Sequence, residues 1–182
     1  MILEQSPKKT EALKILDALD IMDYLNSYGD ARVVGSVALD LIVKLDLDVH
    51  VLLLLKSPME LAQEIIPILL SRKGVREIRL TDYRQSNEGL KIGIDSYPSM
   101  SGTWSIDIWL TEKVYTTGFL DVLRLSHRIT LENRKTILKL KWHYHQRGKL
   151  RDGISKEIYE AVIYHDVKSV GEFEAYRKTS ET

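Results

Sequence analysis

The sequence predicts an α+β fold: a mixed β-sheet flanked by helices, followed by a helical C-terminal part. Three observations predict it. Apolar or alternating runs recur as strand candidates between residues 31 and 110. Helical periodicity lies between some of them. Beyond Thr117 only helical patterns remain.

Each element has a local cause. Over 8–28, Leu13, Leu16, Leu19, Met22 and Leu25 recur at threes, as on an amphipathic helix that Gly29 and Asp30 end. Residues 31–34 form a short apolar strand stopped by Gly35. Residues 36–44 fit a two-turn helix. The run 45–55, LDLDVHVLLLL, alternates and then turns fully apolar, as on a strand that becomes buried on both faces. Ser57-Pro58-Met59-Glu60 is a capping box with proline at the first helical position, opening a helix to about Arg72 with a kink expected at Pro67 and a stop at Gly74. Strands follow over 75–82, 90–97 and 103–110, parted by loops containing Asn87, Gly89, Pro98 and Gly102. Helices are expected over 117–127, 131–147 and 155–165, with a last one capped by Ser169 and Glu172. The expected division is 1–116 as a core and 117–182 as a C-terminal helical region packed on it.

Composition narrows the function. The chain has 182 residues, 44% of them hydrophobic and 29% charged, enough for a real core. Zero cysteines exclude disulfides, thiolate metal sites and cysteine nucleophiles. No apolar run approaches the ~20 residues of a membrane span, and the N-terminus shows no secretory leader. A cytoplasmic protein is expected. Net charge is zero, but residues 124–151 hold nine basic residues and one acid. So concentrated a basic segment is read either as a local anion site or as a solvated helix face.

The informative segment is Val33-Val34-Gly35-Ser36, then nine residues, then Asp46-Leu47-Asp48. On a strand, Asp46 and Asp48 point to one face while Leu47 and Val49 point into the core. Two carboxylates projecting together repel unless a cation lies between them, and a hard divalent ion is the natural candidate. Asp107, within Trp104-Ser105-Ile106-Asp107-Ile108-Trp109, adds a third acid if its strand lies beside the first. Carboxylate ligands suit Mg²⁺, whereas the lack of cysteine or a clustered histidine pair argues against zinc. Gly35 lets the backbone approach a ligand closely, and a helix opening at Ser36 would offer free N–H groups to phosphate.

Gly35-Ser36, Asp46-Leu47-Asp48 and Asp107, in this order and strand setting, resemble the nucleotidyltransferase superfamily typified by DNA polymerase β. The stretch GSVALDL…KLDLDVHVL looks nearest to its small-molecule branch, the lincosamide and aminoglycoside nucleotidyltransferases. The resemblance covers residues 31–110. It implies a nucleotidyltransferase-like sheet and transfer of a nucleoside monophosphate, AMP from ATP, to an acceptor hydroxyl with release of pyrophosphate. Asp46, Asp48 and Asp107 would be the catalytic and metal-binding residues, holding two Mg²⁺ ions, with Mn²⁺ as a substitute. Asp107 would also take the acceptor's proton. Gly35 and Ser36 would bind the nucleotide. A non-catalytic nucleotide-binding regulator, or an antitoxin of the same fold, is the alternative. Nucleic-acid enzymes of this kind normally carry further domains, and about 70 residues follow Asp107, which argues against a nucleic-acid acceptor. The acceptor and the oligomeric state stay open.

Other polar and aromatic residues bear on this site. Arg134 and Lys141 share a broad face of the 131–147 helix with His145, and are candidate triphosphate contacts. His50 reads as a polar residue at the rim of the site. Asp40 matches the lead-in of the small-molecule branch, or is an exposed position of a short helix. Trp104 and Trp109 read as packing, and Tyr83 and Arg84 as candidate acceptor-pocket residues.

Overall fold

The computed structural model describes residues 5–86, 88–151 and 153–180; Asn87, expected in a loop, lies outside the described residues. The chain divides into two compact units, residues 1–122 and 123–182. Among the described residues, no helix is long and apolar enough to cross a membrane.

The first unit holds α1 (Pro7–Leu19), α2 (Met22–Asn26), β1 (Gly29–Val34), α3 (Gly35–Ala38), β2 (Asp46–Leu53), α4 (Pro58–Leu70), β3 (Arg79–Asp82), β4 (Leu90–Ser99) and β5 (Gly102–Thr111). The five strands form one mixed sheet in the order β1-β2-β5-β4-β3. Only β2 and β5 run parallel; the other three pairings are antiparallel. The mixed sheet flanked by helices is thus the fold the sequence implied.

Alternation sorts the side chains of the central strands. On β2, Leu47, Val49, Val51 and Leu53 are buried while Asp46, Asp48, His50 and Leu52 are half-buried. On β5, Trp104, Ile106, Ile108 and Leu110 are buried while Ser105, Asp107 and Trp109 stay partly open. The buried set joins Ile15, Leu19, Leu61, Ile65, Leu69 and Ile92 in one apolar core. One sheet face therefore packs on helices and the other carries the polar residues.

Four boundaries differ from the sequence reading, the first three for a reason visible in the structure. The 8–28 helix is two helices, because Asp20 takes a left-handed conformation (φ 49°) that ends α1. Gly29 opens β1 rather than ending a helix: a Cβ there would lie 2.1 Å from the Leu52 carbonyl oxygen on β2. The helix expected over 36–44 is only α3, a single turn. Beyond it Leu39, Leu41, Ile42 and Val43 are all buried, and Asp40 sits at φ 55°, which no helix continues. Asp40 instead accepts hydrogen bonds from the Ser6 backbone N–H (3.0 Å) and the Ser6 hydroxyl, and Ser6 caps α1. Finally, β3 is shorter than the expected 75–82 strand. The capping box at Ser57 and Glu60 is present, and Pro67 lies inside α4.

α5 (Phe119–Ser126) spans the division between the units. The second unit holds α6 (Leu131–Gln146), α7 (Ile154–His165) and α8 (Val170–Ser180). Tyr144 on α6 meets Phe173 on α8 edge-on at 5.5 Å between ring centres. Arg177 on α8 pairs with Glu157 on α7 at 2.6 Å. Ser169 and Glu172 cap α8 as expected, with the Glu172 backbone N–H donating to Ser169 Oγ at 3.3 Å.

Candidate active site

The parallel register of β2 and β5 sets the site. Asp48 lies directly beside Asp107, and Asp46 beside Ser105. The three carboxylates therefore occupy one small area of the open sheet face, two on β2 and one across from them on β5. Asp46 is about one-third exposed and Asp107 slightly less.

Asp48 is the most strained electrostatically. Burial first, then the charges of Asp46 and Asp107, push its carboxyl up to about 7, against a weaker pull from Lys44 and Lys91. Asp46 has Lys44 Nζ at 3.8 Å and accepts a hydrogen bond from Ser36 Oγ at 3.3 Å. Asp107 has Lys91 Nζ at 3.2 Å.

The Gly35 turn closes the other side. β1 ends at Val34 in extended conformation and Gly35 turns at φ 62°, which only glycine takes without strain. A Cβ at Gly35 would stand 2.9 Å from Asp48 Oδ2. Glycine is needed twice over, for the turn and for the approach to the acid. Ser36 follows at the start of α3 and is buried, its hydroxyl on Asp46. Thus Gly35, Ser36, Asp46, Asp48 and Asp107 come together. Arg134 and Lys141 lie in the second unit, on α6, where Lys141 Nζ donates to the Tyr159 hydroxyl at 2.9 Å.

The donor set fits a hard divalent ion. It consists of carboxylates with a serine hydroxyl beside them, and the repulsion from Asp46 and Asp107 that adds to burial in raising Asp48 is the kind a dication relieves. His50 on the same face is already committed: its Nδ1 accepts the Gly118 backbone N–H at 3.1 Å, and burial lowers its pKa to about 4. Among the described residues, no three acids or histidines are gathered into a ready-made cage; Asp107 is engaged by Lys91 instead.

Several residues of this face escaped the sequence reading. Gly93 on β4 pairs with Asp107, and a Cβ there would lie 3.3 Å from Asp107 Oδ1. Lys91, two residues earlier, reaches Asp107 across the space that glycine leaves. Its signal was the alternation of β4, which puts Lys91 opposite in facing to Leu90 and Ile92. Trp104 is fully buried, as expected of packing. Trp109 is not: it lies half-open on the acid face, with the Tyr83 ring 5.2 Å away and Lys91 Nζ 5.5 Å from its centre. Arg84 is held by Asp82, Nε to Oδ1 at 2.9 Å and Nη2 to Oδ2 at 2.6 Å.

No family model matches the sequence, and no characterised protein matches it. Solved structures do resemble the fold. A cytoplasmic RNA terminal U-transferase superposes with a TM-score of 0.67 at 17% identity, covering 89% of this chain and 50% of that one. A variant of the Cid1 poly(U) polymerase bound to MgATP gives 0.63 at 18%, covering 88% and 50%. The GLD-2/RNP-8 complex gives 0.58 at 14%, covering 88% and 50%. The chain spans about half the length of these structures. With the acids in register on β2 and β5 and the glycine turn against Asp48, the chain has the fold of the nucleotidyltransferase superfamily typified by DNA polymerase β.

Proposed function

We propose that the protein transfers AMP from ATP to an acceptor hydroxyl in a Mg²⁺-dependent reaction that releases pyrophosphate. The observation that carries this reading is the side-by-side register of Asp48 and Asp107, with Asp46 on the same face and Gly35 against Asp48. The Mg²⁺–nucleotide complexes of the Cid1 poly(U) polymerase support a metal-bound nucleotide as the donor.

Asp46 and Asp48 would hold the ion that binds the triphosphate, and would share a second with Asp107; Mn²⁺ would serve in its place. When bound, the ions neutralise phosphate charge and make the acceptor hydroxyl more acidic. Asp107 takes the hydroxyl proton. The freed oxygen bonds to the α-phosphorus, the α–β bridging P–O bond breaks, and pyrophosphate leaves with that oxygen. Ser36 hydrogen-bonds the triphosphate, and Gly35 lets it approach the backbone. Arg134 and Lys141 belong to the basic segment of residues 124–151, a candidate anion-binding stretch of the second unit, in which Lys141 is buried with its ammonium on the Tyr159 hydroxyl.

The likeness of the sequence to the small-molecule branch argues for a small acceptor, while the likeness of the fold to an RNA terminal U-transferase argues for RNA. The deciding assay therefore offers both an oligoribonucleotide and small hydroxylated acceptors. It measures MgATP affinity and pyrophosphate release in the wild type and in Asp107→Asn. Release that vanishes in Asp107→Asn while MgATP still binds supports the proposal. Binding without release on any acceptor supports a nucleotide-binding regulator instead.

A further inference from the structure

We infer that Lys91 is the resident counter-cation of Asp107 and sets the affinity of the second divalent ion by competing with it for that carboxylate. This rests on the metal-binding reading of the three aspartates.

The placement is built by the strands. Lys91 pairs with Trp109 and Gly93 pairs with Asp107 in the antiparallel β4–β5 register, so Lys91 and Asp107 are diagonal neighbours on one face. Gly93 has no side chain to block the diagonal. Leu90 and Ile92, on either side of Lys91, are fully buried, which fixes the facing of the lysine. Its ammonium reaches Asp107 Oδ2 at 3.2 Å and stands 5.5 Å from the centre of the Trp109 ring. Lys91 is about one-quarter exposed and Asp107 little more, so water screens the pair only in part.

The charge balance gives this contact a consequence. Three carboxylates with Lys44 and Lys91 nearby leave a net −1. A first divalent ion between Asp46 and Asp48 turns that to +1. A second ion at Asp107 then meets a local excess of positive charge and an oxygen already held by an ammonium. The bound triphosphate supplies the negative charge that lets the second ion enter. Lys91 thereby links entry of the second ion to the presence of nucleotide and acts as a positioning residue on Asp107.

The test is a titration with Mn²⁺ followed by its paramagnetic resonance signal, on the full chain, first alone and then with α,β-methylene-ATP. Wild type, Lys91→Met, Lys91→Arg, Asp48→Asn and the double variant Lys91→Met/Asp107→Asn are compared. An opposite charge at this distance changes occupancy of a carboxylate by about tenfold or more. Lys91→Met should therefore bind the second Mn²⁺ at least about tenfold more tightly, with the largest gain when nucleotide is absent. Lys91→Arg should match the wild type, and the double variant should lose the gain. If Lys91→Met loses its cooperative melt, Lys91→Gln takes its place. An isotherm for the uncharged variant that overlays the wild type, while Asp48→Asn still loses the first ion, would overturn the role of Lys91 and leave the metal site standing. Absence of any Mn²⁺ binding in the wild type with nucleotide would remove the metal site and this inference together.

Discussion

Asp48 and His50, two residues apart on β2, should shape the stability of the metal-free protein in opposite directions. The Asp48 carboxyl titrates near 7 in the fold against 3.8 ordinarily. Between those pH values the folded state holds a proton that the unfolded chain has lost, so stability falls as pH rises through the window. At about 1.36 kcal/mol per pKa unit the ceiling is roughly 4 kcal/mol. His50 titrates near 4 against 6.5 ordinarily. Between those values the unfolded chain binds the proton, so stability rises with pH, with a ceiling of roughly 3 kcal/mol. Both residues keep an edge in solvent, so screening reduces both figures. In metal-free buffer the two slopes largely cancel between about pH 4 and 6.5, and single substitutions unmask each. Asp48→Asn should give a profile that climbs by up to about 3 kcal/mol across that window. His50→Gln, which keeps an acceptor for the Gly118 N–H, should give one that falls by up to about 4 kcal/mol towards pH 7. Urea denaturation at half-unit pH intervals, with EDTA present, reads both. An Asp48→Asn profile running parallel to the wild type would refute the placement of that carboxyl among like charges.

Mg²⁺ should raise the melting temperature more at about pH 8 than at about pH 5, because protons compete for Asp48; calorimetry at the two pH values checks it. Gly35→Ala should cost about 1–2 kcal/mol from the left-handed backbone alone, and more from the 2.9 Å approach to Asp48, read as a lower urea midpoint. Ser36→Ala should weaken MgATP binding by roughly 1–3 kcal/mol in a calorimetric titration, if its hydroxyl turns from Asp46 to phosphate. Asp107→Asn should leave that binding nearly intact and lower turnover by about 10²–10⁴-fold in a pyrophosphate-release assay.

What could be read from the sequence follows from how local its causes are. Strand alternation placed Asp46 and Asp48 on one face, and the structure has them there. The pairing of Asp107 with Asp48 needed the β2–β5 register, which the sequence does not carry; the resemblance to a known family implied only that Asp107 joins the other two acids. Lys91 and Gly93 were missed because their meaning lies entirely in cross-strand pairing with residues about 15 positions away in the β4–β5 hairpin. Asp40 looked like a helix position because its neighbours are helix-compatible. Its left-handed backbone and its hold on Ser6 depend on α1, which is distant in sequence. Trp109 and Trp104 look alike in sequence, five residues apart, yet one is core and the other faces the acids, because an odd spacing on one strand puts them on opposite faces.

Position-specific labelling of ATP tests nucleotidyl transfer most directly. With Mg²⁺ and an acceptor panel that includes an oligoribonucleotide, label at the α-phosphate should move to the acceptor, while label at the γ-phosphate should leave as pyrophosphate. Both movements should stop in Asp46→Asn/Asp48→Asn. Label from the γ-position on the acceptor, or no transfer from either position while MgATP is bound, would contradict the assignment of these three aspartates to nucleotidyl transfer.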